Sequence, residues 1–141
     1  MLPFPVVLKS GESPYRQIVY AATKAVVSGD LPAGASFPSV RELSQALKIN
    51  PNTAHKVVAE LVRDGLLEVR PGVGTVVSAA RVSSEAERLA LLADPVEQLV
   101  VEAKRLGLSC GEVLAAVEAR WTQLFGASAE ATRMHGDTHD E

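Results

Sequence analysis

The chain has 141 residues, 47% hydrophobic and 22% charged, a globular composition with room for one ordinary domain and a short appendage. No apolar run approaches the roughly 20 residues that cross a bilayer, and a single cysteine, Cys110, rules out an internal disulfide and fits a reducing, cytoplasmic setting. The net charge of −3 hides a division: residues 1–80 carry eight Lys and Arg against six Asp and Glu, whereas residues 81–141 carry six against eleven. The basic excess is mild, and it lies in the N-terminal half.

The opening residues 1–8 are apolar, but Pro3 and Pro5 interrupt them and no basic leader is present, so no secretory signal is expected. Residues 6–9 read as an extended lead-in. Ser13 is a suitable N-cap and Pro14 suits the first helical position, where its missing N–H is not needed. Tyr15, Ile18, Val19, Ala22, Ala25 and Val26 then recur at helical spacing, and Gly29 supplies a stop. Ser36-Phe37 reads as a short strand. Ser39 and Glu42 form a capping box for a short helix over 40–47, with Leu43 and Leu47 facing inward. Lys48-Ile49-Asn50 is a turn of helix-turn-helix length. Asn50 caps a third helix with Pro51 at its start, Val57, Val58, Leu61 and Val62 as its expected buried face, and Gly65 at its end.

Residues 66–70 and 75–78 flank Pro71-Gly-Val-Gly74, the pattern of a β-hairpin. Beyond it the pattern changes. Ser84 with Glu87 makes a second capping box, and Leu89, Leu92, Val96, Leu99, Ala103 and Leu106 alternate at spacings of three and four, a short coiled-coil-like seam. Pro95 should kink or split that helix near Asp94. Gly107 ends it, and Ser109 with Glu112 opens a last helix striped by Val113, Leu114, Val117, Trp121, Leu124 and Phe125. Residues 127–141 are small, polar and acidic, and are expected to be disordered.

The expected fold is therefore mainly α: a winged helix-turn-helix of three helices and a β-hairpin over 1–79, then a two-helix dimerisation segment over 80–126. Such a motif projects the start of its third helix into a major groove about 12 Å wide. Here that start offers Asn50, Asn52, Thr53, His55 and Lys56, whose side chains suit base edges and phosphates; read alone, they are also an ordinary polar helix face. Arg41 stands in the first turn of the second helix, where a cation opposes the helix dipole and suits an anionic partner. Ser39 is a cap first and a phosphate contact second. Arg70 and the glycines Gly72 and Gly74 would let the hairpin approach a duplex closely.

Taken in order, Ser13-Pro-Tyr-Arg-Gln-Ile18, Gly29-Asp-Leu-Pro-Ala-Gly34, Phe37-Pro-Ser-Val-Arg-Glu-Leu43, Asp64-Gly-Leu-Leu67 and Gly72-Val-Gly-Thr75 resemble the successive signatures of the GntR family of transcription regulators. The third-helix opening Ile49-Asn-Pro-Asn-Thr53 is similar to that of its YtrA-type subfamily. The resemblance implies that Arg41 binds backbone or guanine, that the third helix reads bases, and that Gly72 and Gly74 let the wing approach DNA. Many members carry arginine where this chain has Pro51 and His55, which shifts base reading toward Asn52, Thr53 and Lys56. Lys48 replaces a common turn glycine and adds a phosphate contact.

Together these readings describe a cytoplasmic homodimeric regulator, by family analogy a repressor, on an inverted-repeat operator of double-stranded DNA. Leu89, Leu92, Val96, Leu99, Leu106, Val117, Trp121 and Leu124 would pair the subunits, with an unidentified small-molecule effector left open. A winged-helix module that binds protein instead is the alternative; the neutral and basic recognition face weighs against it. No catalytic constellation, cofactor motif or metal site is expected. His135 and His139, with Asp137 and Asp140, read as solvated tail, and Cys110 as an inert, packed thiol.

Overall fold

Capping chemistry sets where the helices begin. In the computed structural model, which describes residues 2–79 and 83–126, Ser13 is extended and its side chain accepts the Arg16 N–H, so α1 runs Pro14–Ser28. The capping box of Ser39 and Glu42 is complete in both directions and opens α2, Val40–Leu47. Asn50 caps α3, Pro51–Arg63. Gly65 donates to the Val62 carbonyl and Leu66 to the Leu61 carbonyl, which ends α3 and turns the chain into the hairpin.

Strands β1, Leu67–Arg70, and β2, Gly74–Val77, pair antiparallel with Leu67 opposite Val77 and Arg70 opposite Gly74. The strand expected at Ser36-Phe37 is a single antiparallel bridge from Ser36 to Val76. It is reinforced by backbone bonds from Gly34 to the Val77 carbonyl, Val77 to the Ala35 carbonyl and Phe37 to the Thr75 carbonyl, all 2.9 Å. This is a winged helix-turn-helix.

One core serves this unit. Ile18, Ala22 and Val26 of α1 meet Leu43 of α2, Ala54, Val57 and Leu61 of α3, and Leu67 and Val77 of the hairpin. The α3 face differs from the expected one: Val62 is exposed and Ala54 is buried. Residues 54, 57, 58 and 61 keep the helical repeat, whereas 62 sits about 100° beyond 61 and leaves the stripe. Phe4 is buried as well, stacked on Phe37 with ring centroids 5.6 Å apart. Leu2, Val6 and Leu8 pack beside it, so the extended lead-in is part of the core's wall.

The second compact unit, within residues 83–141, holds α4, Glu85–Leu92, α5, Asp94–Arg105, and α6, Cys110–Phe125. The seam helix is split at Ala93, whose φ of −92° and ψ of −103° are not helical. Pro95 lies in the first turn of α5, where its missing amide hydrogen does no harm, while within a continuous helix it would break the ladder. Gly107 donates to the Lys104 carbonyl and Leu108 to the Ala103 carbonyl, a Schellman-type stop. Capping boxes at Ser84 and Ser109 open α4 and α6; Cys110, expected to be packed, is exposed because it sits in the first turn of α6 directly after the cap. The tail expected over 127–141, with His135 and His139, lies outside the described residues.

Leu61, fully buried where α3 meets α1 and the hairpin, tests this core. Leu61→Ala is expected to cost about 3 kcal/mol in urea denaturation; a cost below about 1 kcal/mol would mean the site is not a packed centre.

Candidate nucleic-acid interface

The corner between α2 and α3 fixes the direction of α3. Lys48 caps α2 at φ +54° and ψ +48°, and among the described residues it is the one non-glycine with positive φ. Ile49 then donates to the Ser44 carbonyl, and the Ser44 hydroxyl donates to the Ile49 carbonyl at 2.8 Å. The chain is thereby closed into a tight corner before Asn50. The Asn50 side chain accepts the Asn52 N–H at 2.8 Å, so its oxygen is engaged as a cap.

Past that cap the leading end of α3 is open. Asn52, His55 and Lys56 are exposed and Thr53 is half-buried. Among the described residues nothing hydrogen-bonds the Asn52 side-chain amide, which leaves its donor and acceptor facing solvent as a bidentate pair. Arg41, second residue of α2, is also exposed and makes no hydrogen bond or ion pair with the described residues. Its neighbour Glu42 is held below the usual carboxylate range, first by the Ser39 backbone N–H and then by the Ser39 hydroxyl. That carboxylate is committed to the cap. Lys48 projects from the corner between these elements, also exposed.

The wing tip is a turn in which Val73 donates to the Arg70 carbonyl at 3.0 Å. Gly72 and Gly74 have φ of +77° and +112°, and a Cβ on either would meet nothing within 4 Å. Their requirement is conformational, and the space above the turn is open to a docking surface. Val73 at the tip is exposed. Arg70 is not free: its Nε and one terminal nitrogen donate to Glu68, at 3.1 and 2.7 Å. An exposed pair of this kind is worth little, so a phosphate can displace Glu68.

Two residues outside the expected set belong here. Tyr15 and Arg63 share a concavity of 450 Å³ with Thr53, His55 and Lys56. Burial, and then a hydrogen bond to Glu60, raises the Tyr15 hydroxyl above the ordinary phenol range; Arg63 pairs with Glu60 at 3.1 Å. The seven-residue spacing from Lys56 to Arg63 was the available signal, since residues i and i+7 share a helix face. Tyr15 was absorbed into the apolar stripe of α1.

Of the residues expected to pair subunits, Leu99, Leu106, Val117, Trp121 and Leu124 line one apolar groove of 540 Å³ between α5 and α6. Leu89, Leu92 and Val96 lie outside its lining, and the break at Ala93 separates the first two from the α5 stripe. All eight stay exposed except Leu124, which is half-buried. Trp121 meets Phe125 edge to face at 5.4 Å. Among the described residues there is no cluster of potential metal ligands and no helix long and apolar enough to cross a membrane.

Residues 14–77 match the family model for bacterial regulatory proteins, gntR family. The chain is 32% identical over 95 residues to the HTH-type transcriptional repressor YtrA of Bacillus subtilis (strain 168), covering 67% of this chain and 73% of that protein. It is 31% identical over 110 residues to the uncharacterized HTH-type transcriptional regulator YhcF of the same organism, covering 78% and 91%. A crystal structure of a transcriptional antiterminator from Listeria monocytogenes EGD-e matches the fold with a TM-score of 0.75 at 27% identity, over 87% of this chain and 92% of that one.

The left-handed corner makes a stability prediction. Lys48→Gly removes the Cβ clash of that conformation and is expected to stabilise the fold by about 1 kcal/mol in chemical denaturation. A destabilised variant would show that Lys48 is held there by favourable contacts.

Proposed function

Since this chain belongs to the gntR family of bacterial regulatory proteins, we propose that it represses transcription as a homodimer seated on an inverted-repeat operator. Its relatives are named as HTH-type transcriptional regulators, and an enzymatic role has no place in that family reading. The observation that carries the proposal is the open leading end of α3. Among the described residues the Asn52 amide is unengaged there, beside Thr53 and Lys56, and Arg41, flanking it with the cationic corner Lys48, has no ion-pair partner.

In this reading α3 enters the major groove. Asn52 reads an adenine edge, because its amide presents one donor and one acceptor at the spacing of adenine N7 and N6. Thr53 lies against a thymine methyl, and His55 and Lys56 reach guanine edges or phosphate. Arg41, Lys48 and Ser39 hold the backbone and set register without reading sequence. The glycine turn lets the wing lie along the adjacent minor groove, where Arg70 exchanges Glu68 for a phosphate. Tyr15 and Arg63 extend the same face with a neutral hydroxyl and a guanidinium paired to Glu60. Repression follows the name of the YtrA relative and the absence of any need for an activation surface when a compact dimer covers a promoter.

The second unit supplies the pairing surface. Its helices expose Leu89, Leu92, Val96, Leu99, Leu106, Val117 and Trp121, more apolar surface than a solvated face retains without a partner. A two-fold axis through these helices would set two α3 segments on half-sites roughly 34–36 Å apart. A small-molecule effector, of a class the chain does not specify, would act by shifting that spacing.

Arg41→Ala and Asn52→Ala separate the two kinds of contact. Arg41→Ala is expected to weaken binding to all duplexes and to flatten the dependence of affinity on salt by about one counterion per half-site. Asn52→Ala is expected to cost about 1–3 kcal/mol and to relax preference at one base position only. Base-substitution titrations read both, and an unchanged operator preference for Asn52→Ala defeats the assignment. Val117→Glu, which places a carboxylate in the apolar groove, is expected to give monomers by sedimentation and to lose roughly 100-fold in operator affinity. Retained dimers would move the pairing surface elsewhere.

A further inference from the structure

The lead-in residues 2–9 are not used by the reading above, yet they are fastened at both ends. At one end the Phe4 ring is 4% exposed and lies nearly parallel to Phe37, itself 5% exposed, with 19° between the planes. At the other, the Gln17 side chain brackets Lys9: the Lys9 N–H donates to Gln17 Oε1 at 2.6 Å, and Gln17 Nε2 donates to the Lys9 carbonyl at 3.2 Å. The amide side chain thus imitates a paired strand and holds an otherwise irregular segment. Between the two ends, Leu2, Val6 and Leu8 pack against the core, and Leu2 and Pro3 share a surface hollow with Phe37, Pro38, Gln45 and Ala46 of the α2 region.

Phe37 is where the parts of the interface meet. Its amide donates to the Thr75 carbonyl, one residue past Gly74 of the wing. Two residues after it, Ser39 caps α2, and Arg41 follows in the first turn. A shift of the Phe37 ring therefore moves the wing and the start of α2 relative to α3. We propose that residues 2–9 form a strap that positions the DNA-reading surface, with Phe4 as the positioning residue that sets where Phe37, and through it Arg41 and the wing, stand. The inference rests on the DNA-binding reading above. Phe4 touches no duplex; it removes the freedom of the segment that leads into α2 and is hydrogen-bonded to the wing. Buried aromatic stacks suit this use because they hold geometry as well as apolar area, and a contact constellation loses function when its support is loose.

The test uses the full chain and the tightest duplex selected by the unmodified protein from random sequences. Failure of the unmodified protein to select any duplex sinks the DNA-binding reading, and the strap's role in DNA binding with it; an outcome confined to the strap variants bears on the strap alone. Phe4→Ala is expected to weaken operator binding about tenfold, measured well below its melting temperature and corrected for active fraction. Phe4→Leu, which refills the space, is expected to recover most of that loss. The salt dependence should stay unchanged in both, because the phosphate contacts are displaced and not removed. A purely structural role would lower the melting temperature and leave affinity of the folded fraction unchanged, and that result overturns the proposal. Gln17→Ala frees the Lys9 end without opening the core and is expected to weaken binding in the same direction. It decides the matter if Phe4→Ala does not fold: unchanged affinity for folded Gln17→Ala likewise overturns the proposal.

Discussion

Three backbone hydrogen bonds between residues 34–37 and β2 tie the winged unit together. Without them α2 and α3 would form a corner, and the hairpin would hang from the end of α3 as a two-stranded flap, a structure of marginal stability by itself. With them the segment leading into α2 is bridged to the second strand of the two-stranded hairpin. The orientation of the wing is then set by the same residues that begin the helix-turn-helix. Val77 and Phe37, on the face turned inward, convert a hydrogen-bonded seam into part of the core, and Val76 is buried on the opposite face. The two groups of contacts a duplex would meet, on α3 and on the wing, are consequently held at a fixed separation.

Electrostatics on this face are arranged by sequestering the acids. Glu42 lies next to Arg41 but spends its charge on the Ser39 cap, Glu60 is shared by Arg63 and Tyr15, and Glu68 holds Arg70 in an exposed pair. Among the described residues Arg41, Lys48 and Lys56 have no such partner. A chain with a net charge of −3 thereby presents a locally cationic surface, and the acidic excess is carried by residues 81–141. Net charge alone is a poor guide to whether a small protein meets a polyanion; the placement of caps and short-range pairs decides it.

Much of this was legible along the chain because local chemistry determines it. The N-caps at Ser13, Ser39, Asn50, Ser84 and Ser109 depend on residues within three positions, and each forms as its neighbours imply. The same holds for the hairpin around Pro71-Gly-Val-Gly74 and for the interruption ahead of Pro95. What escaped is what two distant segments decide together. Phe4 meets Phe37 from a distant part of the chain, and no periodicity announces it. Ala54 replaces Val62 in the core because the hairpin and α1 approach α3 from a side that spacing by itself leaves undefined. Glu68 takes Arg70 across two positions of one strand, a pairing that alternation would place on a shared face but that did not weigh against a free arginine. Among the candidate residues, place along the chain was readable while availability was not: the Asn50 oxygen is spent on its cap, and among the described residues nothing engages the Asn52 amide.

The interruption at Ala93 leaves α4 with eight residues and α5 with twelve. Peptide helices this short hardly persist in water by themselves, since nucleation costs more than so few turns return. Their apolar flanks lie open here, so in the proposed dimer coverage by a second copy would supply what length does not. Shape and company would then arrive in one step for this half of the molecule. Diluting the protein would erode its C-terminal helices while leaving the winged half intact, and the cell's own supply of the chain would govern how much of it is a complete fold.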